Sequence, residues 1–210
     1  MDVLVIGAGV CGLTTGIRLA EAGLSVTIRT AVPPDQTTSV AAGAVWGAVR
    51  VGPPERVLGW ARTGLEVLSK LAAEPGTGVR MGSGKEVSRS PLEPYYWTRL
   101  LPDLRPCQSS ELPEGFTHGW HYSAPVATMP VYLEYLRARF EQTGGTIEVA
   151  AVPSLAGLAG VAPAVVNCSG AGARDLVPDP AVVPVRGQVV IAANPGIEVF
   201  YVNRDEEPPW

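Results

Sequence analysis

The chain has 210 residues, enough for one sizeable core or two small ones, and its 46% hydrophobic and 17% charged content is that of a globular protein. A net charge of −4 with no Lys/Arg run supplies no basic field, so nucleic acid is excluded as a partner. Three cysteines, Cys11, Cys107 and Cys168, share no metal-ligand spacing and are read as free thiols of a reducing, cytoplasmic setting; no signal peptide and no membrane span are expected.

Val3 to Ile6 is an apolar run that predicts a buried parallel strand. Gly7-Ala-Gly-Val-Cys-Gly12 follows at once and opens a helix whose apolar stripe is Val10, Leu13, Ile17, Ala20 and Leu24. In such a motif the first glycine makes the turn, the second admits a pyrophosphate to the backbone, and the third lets helix and strand pack closely. Gly23 suits the helix C-cap, and Ser25 to Ile28 predicts the next strand. Strand, glycine turn, helix and strand together point to a dinucleotide site. The acidic residue expected to hold the adenosine ribose is missing, since the second strand runs into Arg29-Thr-Ala-Val32. Arg29 reads either as a partner for a 2′-phosphate or as a solvated strand-end cation.

Val32 to Ser39 is a polar, turn-rich loop, and Val40 to Gly47 is dense in small residues. That density suits either a tight helix-on-sheet contact or backbone wrapped along a cofactor. Pro53-Pro-Glu55 starts an amphipathic helix carrying Val57, Leu58, Ala61, Leu65, Leu68 and Leu71-Ala72, which ends near Pro75-Gly76. Val79 to Gly82 and Lys85 to Val87 predict two strand pieces, and Ser88 to Pro113 an irregular excursion. Within it, Tyr95, Tyr96 and Trp97 either line a pocket or pack, and the ease of burying aromatics favours packing. Phe116 to Ala124 alternates as an antiparallel strand; His118 and His121 on it are read as surface or strand-end residues, without a nucleophile to make them a base.

Thr128-Met-Pro130 begins a helix with Val131, Leu133, Leu136 and Phe140 as its apolar set, closed by Gly144-Gly145. Thr146 to Val149 and Ala164 to Cys168 predict strands, the latter meeting the turn Ser169-Gly-Ala-Gly172. Cys11 and Cys168 are read as small core residues. Arg186 to Ile191 predicts a further strand, with Val199 to Val202 as its hairpin partner across Asn194-Pro-Gly196.

Five segments together resemble the D-amino-acid oxidase family of flavoenzymes, with glycine- and sarcosine-oxidase-like relatives as neighbours. They are Val5 to Leu13, Thr37-Thr-Ser-Val-Ala-Ala-Gly-Ala-Val-Trp46, Met129 to Leu133 with Gly144-Gly145, Val166-Asn-Cys-Ser-Gly170, and Pro184-Val-Arg-Gly-Gln188. The resemblance implies an α/β fold: a Rossmann-type FAD-binding domain at 1–50 and 130–180, and at 51–129 and 181–210 a helix/strand excursion with part of an antiparallel substrate-domain sheet. It implies FAD as cofactor, held at the phosphates by Gly7, Ala8, Gly9, Cys11 and Gly12 and on the pyrophosphate side by Thr37, Thr38 and Ser39. Gly43, Ala44 and Val45 would run toward the flavin, Val152 would meet adenine, and Ser169 would offer a hydroxyl. The family's Asp-Arg pair for adenosine falls on Ala31-Val32.

The implied reaction takes a D-amino acid, O₂ and water to a 2-oxo acid, ammonia and H₂O₂, with the cofactor carrying the hard step. No catalytic residue is expected within the chain, because the family's substrate-binding tyrosines and arginine fall beyond Trp210, and Tyr201 and Arg204 come too early for those roles. The expectation is therefore an N-terminal portion of such an oxidase, with weak FAD affinity, an exposed strand edge, little activity alone, and a homodimer or second chain to complete it. Competing readings are another FAD or NAD(P) oxidoreductase, with its catalytic groups in Tyr95 to Trp120, and a non-catalytic nucleotide-binding remnant.

Overall fold

The computed structural model describes residues 1–205, so the expected boundary at Trp210 lies outside the described residues. In chain order the elements are β1 (Val3–Ile6), α1 (Val10–Glu21), β2 (Val26–Thr30), β3 (Ala44–Val45), α2 (Pro54–Ala72), β4 (Val79–Ser88) and β5 (Arg105–Pro106). There follow β6 (His118–Ala127), α3 (Met129–Gln142), β7 (Thr146–Val149), β8 (Ala164–Asn167), α4 (Ala173–Leu176) and β9 (Val199–Asn203). Short 3₁₀ turns link them, among them Thr38–Ala41 and Tyr96–Leu100. Two compact units result, Met1–Gly43 with Thr128–Val190 and Ala44–Ala127 with Ile191–Trp210.

The first unit is built on a parallel sheet in the order β7-β2-β1-β8. All four residues of β1 are buried because it is paired on both edges and covered on both faces. On one face Gly16 of α1 brings Ile28 and Phe140 so close that a β-carbon there would stand 2.9 Å from the Phe140 ring. That contact draws α1 and α3 onto the sheet, with Leu13, Ile17, Leu133 and Phe140 each at most 2% exposed. Each such side chain contributes about 1.5–3 kcal/mol of burial. On the opposite face Leu4, Ile6 and Leu158 gather Val152, Leu155 and Leu176.

Helix α1 ends as its sequence predicts. Gly23 takes φ +90°, and the Gly23 and Leu24 N–H groups bond back to the Ala20 and Leu19 carbonyls. Two members of the predicted stripes face out instead: Leu24 is 39% and Val131 45% exposed. Leu24 lies beyond the last helical turn, and on α3 the inward position belongs to Tyr132.

The second unit carries the order β3-β6-β4-β9, with β5 also on β6. The two predicted strand pieces join into the single ten-residue β4, antiparallel to β6 along its whole length. Trp97 and Tyr122 centre this core; Leu58 and Leu65 of α2 and the Trp46, Tyr95 and Phe200 rings pack on them. Trp97 therefore packs, as aromatic burial favours.

The C-terminal hairpin is not formed. β9 pairs parallel with β4, and Phe200 lies against Gly84, where a β-carbon would collide with its ring. The Asn194 side chain takes the N–H groups of Gly196 and Ile197 and closes a local turn, rather than a hairpin loop. Arg186 to Ile191 is not a strand, because no described segment pairs with it and a lone strand leaves its backbone groups unmet. Val190 and Ile191 are 88% and 93% exposed.

Candidate functional site

The site grows from the turn between β1 and α1. Gly7 sits at φ +98°, open only to glycine without strain, and a β-carbon there would lie 2.5 Å from the Cys168 carbonyl oxygen. Gly12 is buried within the turn, facing the Gly7 carbonyl so closely that any side chain would strike it. Gly9 is the helix N-cap and carries no side chain to cap it. The Ser39 hydroxyl arrives instead from the Thr38–Ala41 turn and accepts from the Val10 N–H at 3.1 Å. A β-carbon on Gly9 would stand 2.9 Å from that hydroxyl. The first turn of α1 thus presents N–H groups and the positive end of its dipole across bare backbone.

A cavity of about 660 Å³ opens over this turn, within the range of cofactor sites. Gly7, Ala8, Gly9 and Cys11 form one wall, and Thr37, Thr38 and Ser39 another. Val152 and Ser169 close further sides. Of the expected contact residues, then, nine meet in one cavity. Gly12 shapes the turn from beneath rather than lining it. Gly43, Ala44 and Val45 do not line it either: Gly43 has open space around it, and Ala44 and Val45 form β3 of the second unit.

Cys11 is exposed, not a core residue, and Cys168 is half-buried. Burial pushes the Cys168 thiol up, while a contact from its Sγ to the Thr15 hydroxyl at 3.8 Å offsets part of that rise. The Asn167 side-chain oxygen accepts from the N–H and the hydroxyl of Ser169, at 3.1 and 2.7 Å, and so fixes the glycine-rich turn at the end of β8. The sequence marks Asn167 only as part of a motif; its position at the end of β8, beside β1, is what gives it this task.

Arg29 lines the cavity at the end of β2 and is ion-paired to Glu148 of β7 at 2.8 Å, the two side chains remaining partly exposed. Glu148 carried no sequence signal, since its meaning comes only from the β2–β7 register. Among the described residues no His/Cys/Asp/Glu group is placed to hold a metal, and no helix is long and apolar enough to cross a membrane.

The second unit holds a buried polar cluster of its own. Glu86, 2% exposed, accepts from the Tyr122 hydroxyl at 2.8 Å and pairs with Arg204 at 2.8 Å. The Arg204 guanidinium lies 3.6 Å from the centre of the Tyr95 ring. Burial, then the Glu86 charge, pushes the Tyr122 hydroxyl far up, in keeping with its role as donor to Glu86. Of the two histidines read as surface or strand-end residues, His118 is exposed at the start of β6, and His121 lies half-buried in mid-strand, bonded to the Ser83 hydroxyl at 2.9 Å.

Comparison with known proteins adds sequence evidence. Residues 2–208 match the family model described as FAD dependent oxidoreductase. The chain is 47% identical to a D-amino-acid oxidase of Rubrobacter xylanophilus and 44% to one of Streptomyces coelicolor, in each case over 98% of its own length. It spans about 63% of the length of these relatives. Among solved structures, a glycine oxidase of Geobacillus kaustophilus superposes with a TM-score of 0.66 at 20% identity, over 83% of this chain and 56% of that one, a likeness of fold.

Proposed function

We propose, from the plain fact that the chain belongs to the FAD dependent oxidoreductase family, that its first unit holds FAD at the glycine turn and that the protein oxidises D-amino acids. The observation that carries the cofactor reading is the cradle around Gly9. Bare backbone, an N-cap without a side chain and the Ser39 hydroxyl meet at the mouth of one cavity. A diphosphate is the group this donor set suits, because the helix end offers N–H donors and a positive potential at a spot that no side chain fills. The residues present therefore fit FAD.

In that reading Gly7, Ala8, Gly9 and Cys11 lie along the diphosphate, with the hydroxyls of Thr37, Thr38 and Ser39 on its other side. Val152 meets the adenine end from the segment after β7, and Ser169, fixed by Asn167, closes the turn after β8. When bound, FAD supplies the two-electron oxidation of the substrate and hands the electrons to O₂. What the chain would contribute is position and charge: the N–H groups at the start of α1 and the hydroxyls of Thr37, Thr38 and Ser39 would face the diphosphate.

The substrate half of the proposal follows the two bacterial relatives, both D-amino-acid oxidases. D-alanine and D-aspartate, each against its L-enantiomer, are added to the FAD-loaded protein and peroxide is followed. Peroxide from the D-forms alone, at the low rate expected of this chain, supports the proposal; peroxide from the L-forms, or from neither, refutes it.

A further inference from the structure

Arg29 stands where the chain departs from the dinucleotide pattern. There a carboxylate at the end of the second strand takes the adenosine ribose hydroxyls. Here that strand end offers none: the Thr30 hydroxyl, on a residue 4% exposed, is spent on the Val32 carbonyl at 2.8 Å. Arg29 lines the cavity in its place, beside the apolar side chains of Ile6, Val152 and Leu176. Its guanidinium is held in one orientation. β7 runs beside β2 with Arg29 opposite Glu148, and Nε and Nη2 both donate to the same Glu148 oxygen, at 3.0 and 2.8 Å. A guanidinium has five N–H donors, so donors remain for a ligand after this clamp is made.

We propose that Arg29, clamped by Glu148, takes the part of the missing carboxylate: it donates to the ribose hydroxyl oxygens of the adenosine end, and the pair selects a ribose without a 2′-phosphate. The inference rests on the FAD reading of the cavity. An arginine alone at a second-strand end suits a 2′-phosphate. Glu148 changes that outcome in two ways. Its charge cancels that of Arg29, and its carboxylate repels a phosphate dianion placed beside the pair. The side chains are 25% and 50% exposed, so the pair adds little to stability and its effect is on recognition. Glu148 is the positioning residue and Arg29 the one that touches the ligand.

The test is calorimetric titration of the flavin-free 210-residue chain with ADP-ribose and with 2′-phospho-ADP-ribose, repeated on Arg29→Ala and Glu148→Gln. The wild type is expected to favour ADP-ribose by about 10-fold or more, and Arg29→Ala to lose roughly 10-fold for it, the size of a hydrogen bond from a charged donor. Glu148→Gln, at an exposed edge position that leaves the fold intact by circular dichroism, should narrow or invert the preference by roughly 10-fold. A merely structural role would lower both affinities equally and leave their ratio alone. A wild type that prefers the 2′-phosphorylated ligand, or a ratio unmoved by Glu148→Gln in protein that still binds FAD, overturns this inference and leaves the FAD reading standing. A wild type that binds neither FAD nor ADP-ribose overturns both.

Discussion

Gly9 and Gly12 lie in one motif and fail differently. A β-carbon on Gly9 meets only the end of the Ser39 side chain, which can swing away, so Gly9→Val should fold. The new methyls would then stand in the cavity between the helix end and the diphosphate. FAD affinity should fall about 10- to 100-fold, the worth of one lost N–H bond to a charged oxygen, with the melting temperature little changed. On Gly12 the obstacle is the Gly7 backbone, which cannot move without undoing the turn. Gly12→Ala should cost at least about 2 kcal/mol of stability, read from urea unfolding. Such a division of labour is legible in the spacing of the glycines. The buried Glu86 is not, because its partners come from elsewhere in the chain, Tyr122 from β6 and Arg204 from just beyond β9. Removing the carboxylate in Glu86→Ala takes away both the ion-pair partner of Arg204 and the acceptor of the Tyr122 hydroxyl, and should cost more than Tyr122→Phe, which is worth about 1 kcal/mol; urea unfolding of the two variants checks the order.

Elements whose cause is local could be read directly. Apolar content gives β1, proline at the first turn gives the starts of α2 and α3, and Gly23 gives the end of α1. What escaped reading was the choice of partner. β9 has the composition of a hairpin strand, but the free edge of β4 and the absence of a side chain on Gly84 draw it into a parallel pairing. The same holds of Tyr132, which displaces Val131 from the inward face of α3. The excursion between β4 and β6 is pinned by charge. Glu111 receives Arg105 at 2.7 and 2.8 Å and caps its own turn through the Gln108 N–H. These contacts, the Arg105 hydrogen bonds first, hold its carboxyl down from the ordinary 4.5 to about 2. A carboxyl depressed in the folded state lends stability above its unfolded value and loses it as the pH falls through the folded one. Urea midpoints of wild type and Glu111→Gln should therefore differ by a constant amount at neutral pH. The gap should close between pH 4.5 and about 2, and a gap independent of pH would contradict the pairing.

On the scale of the whole molecule, the cofactor reading places all its described contacts in one of the two units. A ligand that binds only the folded state stabilises it by mass action, about 2.7 kcal/mol at 100 times its Kd. Amide exchange should then slow at β1, at the first turn of α1 and at Thr37–Ser39 when FAD is added. The central claim is that the Gly9 cradle holds the FAD diphosphate, and its most direct test is a flavin-fluorescence titration of the purified chain, wild type beside Gly9→Val, with FAD and with FMN, which has a single phosphate and lacks the adenosine monophosphate half. The account predicts saturable one-to-one FAD binding, weaker FMN binding, and loss of that preference in Gly9→Val. FAD bound no better than FMN, or bound equally well by the variant, would contradict it.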